Sequence, residues 1–385
     1  MSPGIRIYAD YNATAPLRPE AKAAMLLAME SVGNPSSVHA EGRKARALVE
    51  GAREIVAAAI GACRDDIAFT SGGTEAVQAP LRGVLRTVEP AQLVVSAVEH
   101  DAVNALAELR EAWPTQANGV VDLDWLEGAV KKLTADGAMP LVSLMLVNNE
   151  TGVIQPVGEA AQIVHAAGGL IHCDAIQALG KIPVSIIDLD VDYLSLSAHK
   201  VGGPQGVGAF YVKPGAPFRA VLTGGGQEFG RRAGTENVAG IAGFGAAIEA
   251  ALGGMERYEG LRTARDTMEA VLKAVVPGLQ VHGQVAPRVA GVSCFGVEDL
   301  PSETQVMGLD LAGFAVSAGS ACSSGKVKPS RVLTAMGLND TAARSAIRAS
   351  FGWNSKAEDF DALARAWLKM AARARPQLVK QNANV

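Results

Sequence analysis

The chain has 385 residues, of which 49% are hydrophobic and 19% are charged, and its formal net charge is −4. This length predicts two domains or one large one, and the balance of residue types excludes wholesale disorder. The negative net charge disfavours nucleic acid or an anionic membrane surface as the main partner.

The cysteines and the N-terminus indicate a reduced compartment. Cys63, Cys173, Cys294 and Cys322 show no CxxC pair and no metal-ligand spacing, so we expect neither disulfides nor a stable metal site. The N-terminus lacks a signal-peptide apolar region, and no apolar run is long enough to span a membrane. The expected location is the cytoplasm.

Helical and β-rich segments alternate through the first two-thirds of the chain. Amphipathic stretches at 18–32 and 38–60 predict helices. Because buried apolar strands then alternate with helices, we expect an α/β fold with a mostly parallel sheet flanked by helices. The strands predicted for this sheet are 67–70, 93–98, 141–147, 169–174 and 192–197.

The pattern changes from about residue 241 onward. A long helical run over 241–276 leads into short predicted strands and helices, which indicates a smaller α+β domain. The expected large domain is therefore 15–250, and the expected small domain combines 1–14 with 251–385. The predicted strands here are 280–282, 288–295 and 315–317, and the predicted helices lie near 302–310, 329–336 and 356–373.

Polar residues follow several predicted strands at their carboxyl ends, where ligands collect in parallel α/β sheets. SGGTE at 71–75 offers backbone N–H groups and a hydroxyl to a phosphate, although Thr74 as an ordinary helix cap is the alternative. His100 follows the next strand, and NNETG at 148–152, which is otherwise a polar turn, follows the one after. Asp174 leaves a buried strand and therefore needs a cationic or hydrogen-bonding partner.

Lys200 ends the last of these strands, in SAHK at 197–200, and is either a Schiff-base lysine or a solvated surface lysine. A phosphate site, a histidine, an aspartate and a lysine at strand ends are together what pyridoxal 5'-phosphate requires. The lysine forms the Schiff base, and the aspartate keeps the pyridine nitrogen protonated so that the ring accepts electrons. The joint placement predicts a pyridoxal-phosphate enzyme.

The sequence resembles the cysteine desulfurases, within the class V aminotransferase group of fold-type I pyridoxal-phosphate-dependent transferases. The resemblance covers nearly the whole chain, from YADYNAT at 8–14 to IRASFG at 347–352. It implies a homodimer that converts L-cysteine to L-alanine and passes the sulfur to an iron–sulfur scaffold or another acceptor protein. The motifs that carry it, in family order, are TSGGTE (70–75), NNETG (148–152), DAIQ (174–177), SAHK (197–200), GGGQE (224–228), GTENV (234–238) and GSACSS (319–324).

The resemblance also implies roles for individual residues. Lys200 would carry the cofactor and shuttle a proton, and His100 would lie over the ring. Asp174 would pair with the pyridinium nitrogen, and Gln177 would hydrogen-bond the phenolic oxygen. The other implied cofactor contacts are Gly73, Thr74, Asn149, Ser197, His199 and, from a partner subunit, Thr235, and the implied substrate contacts are Asn34, Asn149 and Arg348.

Cys322 selects among the reactions that pyridoxal phosphate permits. It lies in SACSSGKVK at 320–328, a small, polar and basic stretch typical of an exposed loop. Lys326 and Lys328 favour its thiolate, so we expect Cys322 to attack the substrate sulfur and carry a persulfide. Whether it also ligates iron transiently is left open. The other three cysteines have apolar neighbours and are expected to be small buried residues.

Three interpretations of function therefore stand side by side. The first is a cysteine desulfurase. The second is a class V aminotransferase or a selenocysteine lyase, in which Cys322 is incidental. The third is a catalytically silent dimeric scaffold.

One residue conflicts with the predicted secondary structure. Pro80 falls inside the helix expected after Thr74. Because proline lacks an N–H donor and its ring crowds the preceding turn, it is expected to interrupt or kink this helix.

Overall fold

The computed structural model describes residues 6–106, 112–319 and 329–378. Within these residues the chain forms one sheet of six strands, one of four and one strand pair. The strands are β1 Ile7–Tyr8, β2 Ile67–Thr70, β3 Ala91–Val95, β4 Met139–Met145, β5 Leu170–Asp174, β6 Tyr193–Ser197, β7 Gly208–Val212, β8 Gln280–Val281, β9 Val292–Gly296, β10 Phe314–Ala315, β11 Ser317–Ala318 and β12 Ala346–Ser350.

Helices cover both faces of the large sheet and one side of the small sheet. Short 3₁₀ turns at Arg64–Asp66, Ala198–Lys200 and Glu228–Gly230 connect some of these elements. The α-helices are α1 Pro19–Met29, α2 Ala40–Ile60, α3 Gly73–Leu85, α4 Asp101–Asn104, α5 Leu123–Ala135, α6 Val157–Ala166, α7 Ile186–Leu189, α8 Val238–Gly253, α9 Met255–Glu259, α10 Leu261–Val275, α11 Ser302–Leu311, α12 Arg331–Ala335, α13 Asp340–Arg344 and α14 Ala357–Ala374.

The large sheet has the strand order β2-β7-β6-β5-β4-β3. Strands β3 to β6 are parallel to one another, whereas β7 is antiparallel to both β6 and β2. The α/β fold with a mostly parallel sheet is thus confirmed. Because β3 to β6 run in one direction, their carboxyl ends meet at one edge of the sheet, where the chemically capable residues follow them.

The small sheet is antiparallel, with the order β11-β12-β9-β8. Helices α10, α11 and α14 pack beside it, and the ring of Phe295 on β9 meets the ring of Trp367 edge-on at 5.7 Å between centroids. Strand β1 pairs in parallel with β10, which joins the N-terminal segment to this part of the chain. The α+β structure predicted for the C-terminal third is present.

The helical run predicted over 241–276 is divided into α8, α9 and α10. Gly254 separates α8 from α9, and Gly260 separates α9 from α10. Glycine is a poor helix former, which explains breaks at these positions. Among the described residues no single helix is long and apolar enough to cross a membrane; α8 and residues 255–275, bent by 61°, pass only as a pair and only by length and composition.

Pro80 does not interrupt the helix, contrary to the prediction from sequence. Helix α3 continues through it to Leu85. In a regular helix the N–H of residue 80 would bond to the carbonyl of Ala76, and that carbonyl instead accepts a hydrogen bond of 2.7 Å from the hydroxyl of Ser195. The oxygen that proline leaves without a helical partner is therefore satisfied by β6.

Cys173 and Cys294 are fully buried, as their apolar neighbours predict. The prediction for Cys63 is wrong, because this side chain is exposed. Helix α2 ends at Gly61 in a left-handed conformation (φ 73°), and Cys63 then caps the 3₁₀ turn that begins at Arg64. The turn carries the thiol away from the apolar face of α2.

A buried ion pair joins α10 to the segment before β9. The guanidinium of Arg288 donates two hydrogen bonds of 2.9 Å to the carboxylate of Glu269, and Ser293 Oγ donates a third of 2.7 Å. Both charged side chains are at most 3% exposed. Removing one partner of such a pair leaves an uncompensated buried charge.

We therefore expect Glu269→Ala to lower the free energy of unfolding by about 3–5 kcal/mol, because Arg288 would remain charged and buried. The measurement is urea denaturation followed by circular dichroism. Glu303→Ala, at an exposed position of α11, is the control and should change the value by at most about 0.5 kcal/mol. Equal effects of the two substitutions would contradict the role given to Glu269.

Candidate active site

A cavity of about 660 Å³ lies at the carboxyl ends of strands β3 to β6. Residues from the small sheet, among them Ala318 and Arg348, close its other side. Ten of the residues predicted from sequence line this cavity: Gly73, Thr74, His100, Asn149, Asp174, Gln177, Ser197, His199, Lys200 and Arg348.

Two predicted residues lie elsewhere. Asn34 is exposed between α1 and α2, and its side-chain oxygen accepts a hydrogen bond of 2.9 Å from the backbone N–H of Ser36. Thr235 is exposed before α8 and is not part of the cavity wall. Their proposed contacts with substrate and with a partner's cofactor stay predictions.

Cys322 lies outside the described residues. Gly319 and Pro329, the described residues on either side of 320–328, both line the cavity. Within the described ranges, no three His, Cys, Asp or Glu side chains are grouped so as to hold a metal ion. The roles of Cys322 as nucleophile and as transient iron ligand therefore stay predictions.

Lys200 enters the cavity from the 3₁₀ turn that follows β6. Its amine donates hydrogen bonds to the backbone oxygens of Asn12, at 2.6 Å, and Ala13, at 2.8 Å. Burial lowers the pKa of Lys200 to about 8, and the positive charge of Arg348 acts in the same direction. The amine therefore loses its proton more readily than an ordinary lysine, as a nucleophilic lysine requires.

Asp174 is the last residue of β5, beside the end of β6. It is buried, and its Oδ1 accepts a hydrogen bond of 2.9 Å from the N–H of Ile176. Burial raises the pKa of this carboxyl, against the opposing effects of that hydrogen bond and of His100 and Lys200. A cationic group placed against Asp174 would stabilise its ionised form.

The N-terminus of α3 forms an anion-binding corner of the cavity. The helix begins after Gly72 with no side-chain cap, so Thr74 lies in the first turn and does not cap the helix. A Cβ on Gly73 would come within 2.8 Å of Ile176 Cδ1 and 3.2 Å of Ser197 Cβ, so a larger residue would have to displace these side chains. Backbone N–H groups at such a helix start attract phosphate.

Two side chains from the end of β6 complete this corner. Ser197 Oγ is buried and has no hydrogen-bond partner within the described parts of the chain. Burial lowers the pKa of His199 to about 4, with Lys200 adding to the effect, so the imidazole is neutral at physiological pH. The unpartnered hydroxyl is a hydrogen-bonding group available to a ligand.

Arg348 reaches the opposite wall from β12. Its Nη2 pairs with Asp10 Oδ1 at 2.7 Å, and its Nη1 donates to the backbone oxygen of Asn149 at 3.1 Å. Its Nε is buried and has no partner among the described residues. The guanidinium thus retains donor capacity for a carboxylate.

His100 caps the short helix α4. Its Nδ1 accepts a hydrogen bond of 3.1 Å from the N–H of Ala102. In the neutral ring this bond leaves the proton on Nε2. The histidine is therefore fixed in one tautomer at the cavity wall.

Sequence reasoning missed three residues of this site. Asn12 and Glu99 line the cavity, and Lys181 is buried behind Gln177. Glu99 precedes His100 at a strand end, which is a usable signal. Lys181 follows Gln177 by four residues, a spacing that brings two side chains together in a helix. The chain around both is a series of turns, so helical periodicity did not indicate that Lys181 belongs to the site.

Glu99 is a buried carboxyl with an unusual protonation equilibrium. Its Oε1 accepts from the N–H of Met145, and its Oε2 is buried without a partner among the described residues. Burial raises the pKa of Glu99 from 4.5 to about 8, and the neighbouring Asp174 adds to this. The folded protein therefore keeps a proton that the unfolded chain releases.

From this shift we expect the free energy of unfolding to lose a contribution as the pH rises from 4.5 to about 8. Glu99→Gln keeps an acceptor for Met145 and cannot ionise, so its stability relative to the unmodified protein should increase across that interval. Urea unfolding at stepped pH, before any cofactor is added, measures the difference. Glu303→Gln, at an exposed position, should show no such trend, and parallel pH profiles for both substitutions would contradict the assignment.

Comparison with known proteins relates this cavity to a family. The family profile described as aminotransferase class-V matches residues 7–363. A cysteine desulfurase of Cereibacter sphaeroides is 43% identical over 366 residues, which cover 92% of this chain and 92% of the relative. The cysteine desulfurase IscS of Dictyoglomus turgidum is 40% identical, also over 92% of each chain.

A solved structure shows the same likeness. The NifS-like protein from Rickettsia africae superposes with a TM-score of 0.85 at 30% identity, covering 95% of this chain and 99% of that one. The match thus includes both sheets as well as the cavity that they enclose. The chain belongs to the cysteine desulfurases of the class V aminotransferase family.

Proposed function

We propose that this cavity converts L-cysteine to L-alanine with pyridoxal phosphate bound, and that Cys322 retains the sulfur as a persulfide. The observation that supports this most is the meeting of Lys200 and Asp174 at the ends of neighbouring strands in one cavity. In this arrangement the basic amine suits Schiff-base formation with the cofactor, and the buried carboxylate suits its pyridine nitrogen. The likeness to cysteine desulfurases supports the choice of reaction.

The residues of the cavity fit pyridoxal phosphate. The free hydroxyl of Ser197 and the uncapped start of α3 at Gly73 suit its phosphate, with Thr74 and His199 beside them. Asp174 suits a protonated ring nitrogen, because its buried carboxylate lacks a full counter-charge. Gln177 would hold the phenolic oxygen, and Lys200 would bind the cofactor covalently.

Pyridoxal phosphate, when bound, supplies an electron sink for the substrate carbon that loses a proton. Lys200 Nζ, with its pKa of about 8, is suited to take that proton and to return one later. His100, held with its proton on Nε2, is placed to assist the transfer.

Arg348 and Asn149 would bind the substrate carboxylate. The guanidinium is already oriented by Asp10, so only its remaining donors need to reach the ligand. A planar guanidinium forms strong, directional hydrogen bonds with a carboxylate. Asn34 is proposed as a further substrate contact, on the resemblance alone.

The sulfur step uses Cys322 as nucleophile. Its thiolate attacks the sulfur of cysteine, a new S–S bond forms, and the C–S bond breaks. The electron pair of the broken bond stays with carbon, which takes up a proton to become the methyl group of alanine. The outer sulfur of the persulfide is then available to an acceptor thiol, and Cys322 is released.

The alternatives of a selenocysteine lyase and of an aminotransferase that ignores Cys322 are not favoured. The relatives described above are cysteine desulfurases at 40% identity or more. The catalytically silent scaffold is likewise not favoured, because Lys200 and Asp174 are present at the strand ends where the cofactor requires them.

We also infer a cytoplasmic homodimer that delivers sulfur to an iron–sulfur scaffold or another acceptor protein. Thr235 is exposed and does not line the cavity of its own chain, which suits a contact with a partner's cofactor. A second cavity of about 500 Å³ shares Gly73 and Thr74 with the first and lies beside Arg232, close to Thr235 in the chain. The phosphate corner is thereby open toward that side.

We propose the domain division 15–250 against 1–14 with 251–385, and the placement of the strands supports it. The large sheet uses only residues between Ile67 and Val212. The small sheet and the β1–β10 pair use residues before 15 and after 279. The segment 320–328 with Cys322 would then belong to the small domain.

For the sulfur step, we expect Cys322→Ala to abolish persulfide formation while leaving cofactor binding intact, because only the nucleophile is removed. After incubation with L-cysteine, mass spectrometry should show one added sulfur atom on the peptide with Cys322 in the unmodified protein and none in the variant. Cys63→Ala, which removes an exposed thiol, is the control and should behave as the unmodified protein. Sulfide release by Cys322→Ala at the unmodified rate would exclude the proposed step.

For the lysine, we expect Lys200→Ala to lose covalent attachment of the cofactor. The protein is incubated with pyridoxal phosphate, reduced with borohydride and digested, and the labelled peptide is identified by mass spectrometry. Lys213→Ala removes a lysine paired with Asp190 at the surface and should keep the label. Retention of the label by Lys200→Ala would assign the Schiff base to another lysine.

A further inference from the structure

A second lysine is buried directly behind the cavity. Lys181 is 8% exposed, and its amine donates hydrogen bonds to the side-chain oxygens of Gln177, at 2.7 Å, and Asn12, at 2.8 Å. It does not line the cavity, and the proposed chemistry assigns it no step. A buried amine in this position needs its own explanation, since burying a charged group is costly.

The bond from Lys181 helps to fix the orientation of the Gln177 amide. The atom of Gln177 that faces the lysine amine is the oxygen Oε1, which accepts from it at 2.7 Å. The amide nitrogen Nε2 is consequently turned the other way, where it donates to the backbone oxygen of Asn12 at 2.9 Å. Because a backbone oxygen can only accept, this second bond requires the same orientation, and Lys181 and Asn12 fix the amide together.

Asn12 connects this arrangement to Lys200. Its backbone oxygen accepts from both Gln177 Nε2 and Lys200 Nζ, the latter at 2.6 Å. Its side-chain oxygen accepts from Lys181, and its side-chain nitrogen donates to the backbone oxygen of Asn149 at 3.0 Å. Lys181 therefore binds the side chain of Asn12, and Lys200 binds its backbone.

The charges around Lys181 argue against a purely stabilising role. Burial lowers the pKa of Lys181 well below its ordinary value, and the charges of Lys200 and Arg348 act in the same direction. An apolar side chain of similar volume would avoid both costs. Residues that are less favourable for stability than an apolar alternative are found mainly where function requires them.

We propose that Lys181 is a positioning residue of the cofactor site, which holds the Gln177 amide with its nitrogen toward the cavity and holds Asn12 against Lys200. The proposal rests on the proposed function only in that pyridoxal phosphate binds at Lys200. Gln177 then presents a donor, not an acceptor, to the phenolic oxygen of the cofactor. Lys181 acts through Gln177 and Asn12 and touches neither cofactor nor substrate.

The test measures pyridoxal phosphate binding to the full chain with no amino acid present. Lys181→Met removes the donor and keeps the volume, and Lys181→Gln keeps a donor without the charge. Lys131→Met, which removes an exposed lysine of α5, is the matched control. Circular dichroism and the unfolding midpoint establish that each variant is folded, and Lys181→Ala replaces the Met variant if that one does not fold.

We expect Lys181→Met to weaken cofactor binding by at least about tenfold, the equivalent of one lost hydrogen bond. It should also displace the visible absorption maximum of the bound cofactor, because the donor to the phenolic oxygen is no longer held. Lys181→Gln should restore both values most of the way. Lys131→Met should leave both unchanged.

A double-mutant cycle tests whether the effect passes through Gln177. In a Gln177→Ala background, the effect of Lys181→Met on the dissociation constant should fall from about tenfold to about twofold, the part that passes through Asn12, because substitutions of residues in contact are not additive. A tenfold effect that persists in this background would overturn the proposal. So would an affinity and absorption maximum of Lys181→Met equal to those of the unmodified protein.

These outcomes are separable from failure of the proposed function. If the unmodified protein binds pyridoxal phosphate at Lys200 but forms no persulfide from cysteine, the proposed function is wrong and the role of Lys181 stands. If persulfide forms normally and Lys181→Met binds the cofactor as the unmodified protein does, only the role of Lys181 is wrong.

Discussion

Burial of charge at one edge of the large sheet is the constraint on which the site depends. Lys200, Lys181 and Arg348 bring positive groups to this edge, and Asp174 and Glu99 bring carboxyls. In a low-dielectric environment each of these groups must be paired, hydrogen-bonded or neutral. Glu99 is kept neutral by burial beside Asp174, and Lys200 has its affinity for a proton reduced. The same constraint therefore produces an acid that stays protonated and an amine that readily loses its proton.

The N-terminal segment provides the partners that this constraint demands. Backbone oxygens of Asn12 and Ala13 accept from Lys200, and Asp10 pairs with Arg348. Because β1 pairs with β10, this segment is anchored to the C-terminal third of the chain while it contacts the ends of the large sheet. Displacing it would leave several buried donors unsatisfied at once.

Much of the site was predictable because strand ends are local signals. Asp174 and Lys200 each follow a run of buried apolar residues, and parallel topology alone brings such ends together. The strand β7 was missed because the glycines before it, up to Gly208, resemble a long turn. Pro80 was misjudged because the hydroxyl of Ser195 that satisfies Ala76 comes from a strand more than a hundred residues away. Cys63 was misjudged because its apolar neighbours suggested burial, whereas the chain turns after Gly61 and leaves the thiol exposed.

The residues that sequence reasoning missed share one physical property. Asn12, Glu99 and Lys181 act through contacts with residues distant in the chain or with backbone atoms. Neither kind of contact produces a periodic pattern in the sequence. Asn12 in particular accepts and donates to four different segments, so its importance is a property of the assembled fold. A position of this kind is recognised by asking where each buried donor finds its acceptor, because few buried polar groups are left without one. In this cavity the donors of Lys181, Gln177 and Lys200 all lead to Asn12. Of the cavity groups still unpaired among the described residues, Ser197 Oγ and Arg348 Nε are those that we assign to ligands, and Glu99 Oε2 belongs to the carboxyl that burial keeps protonated.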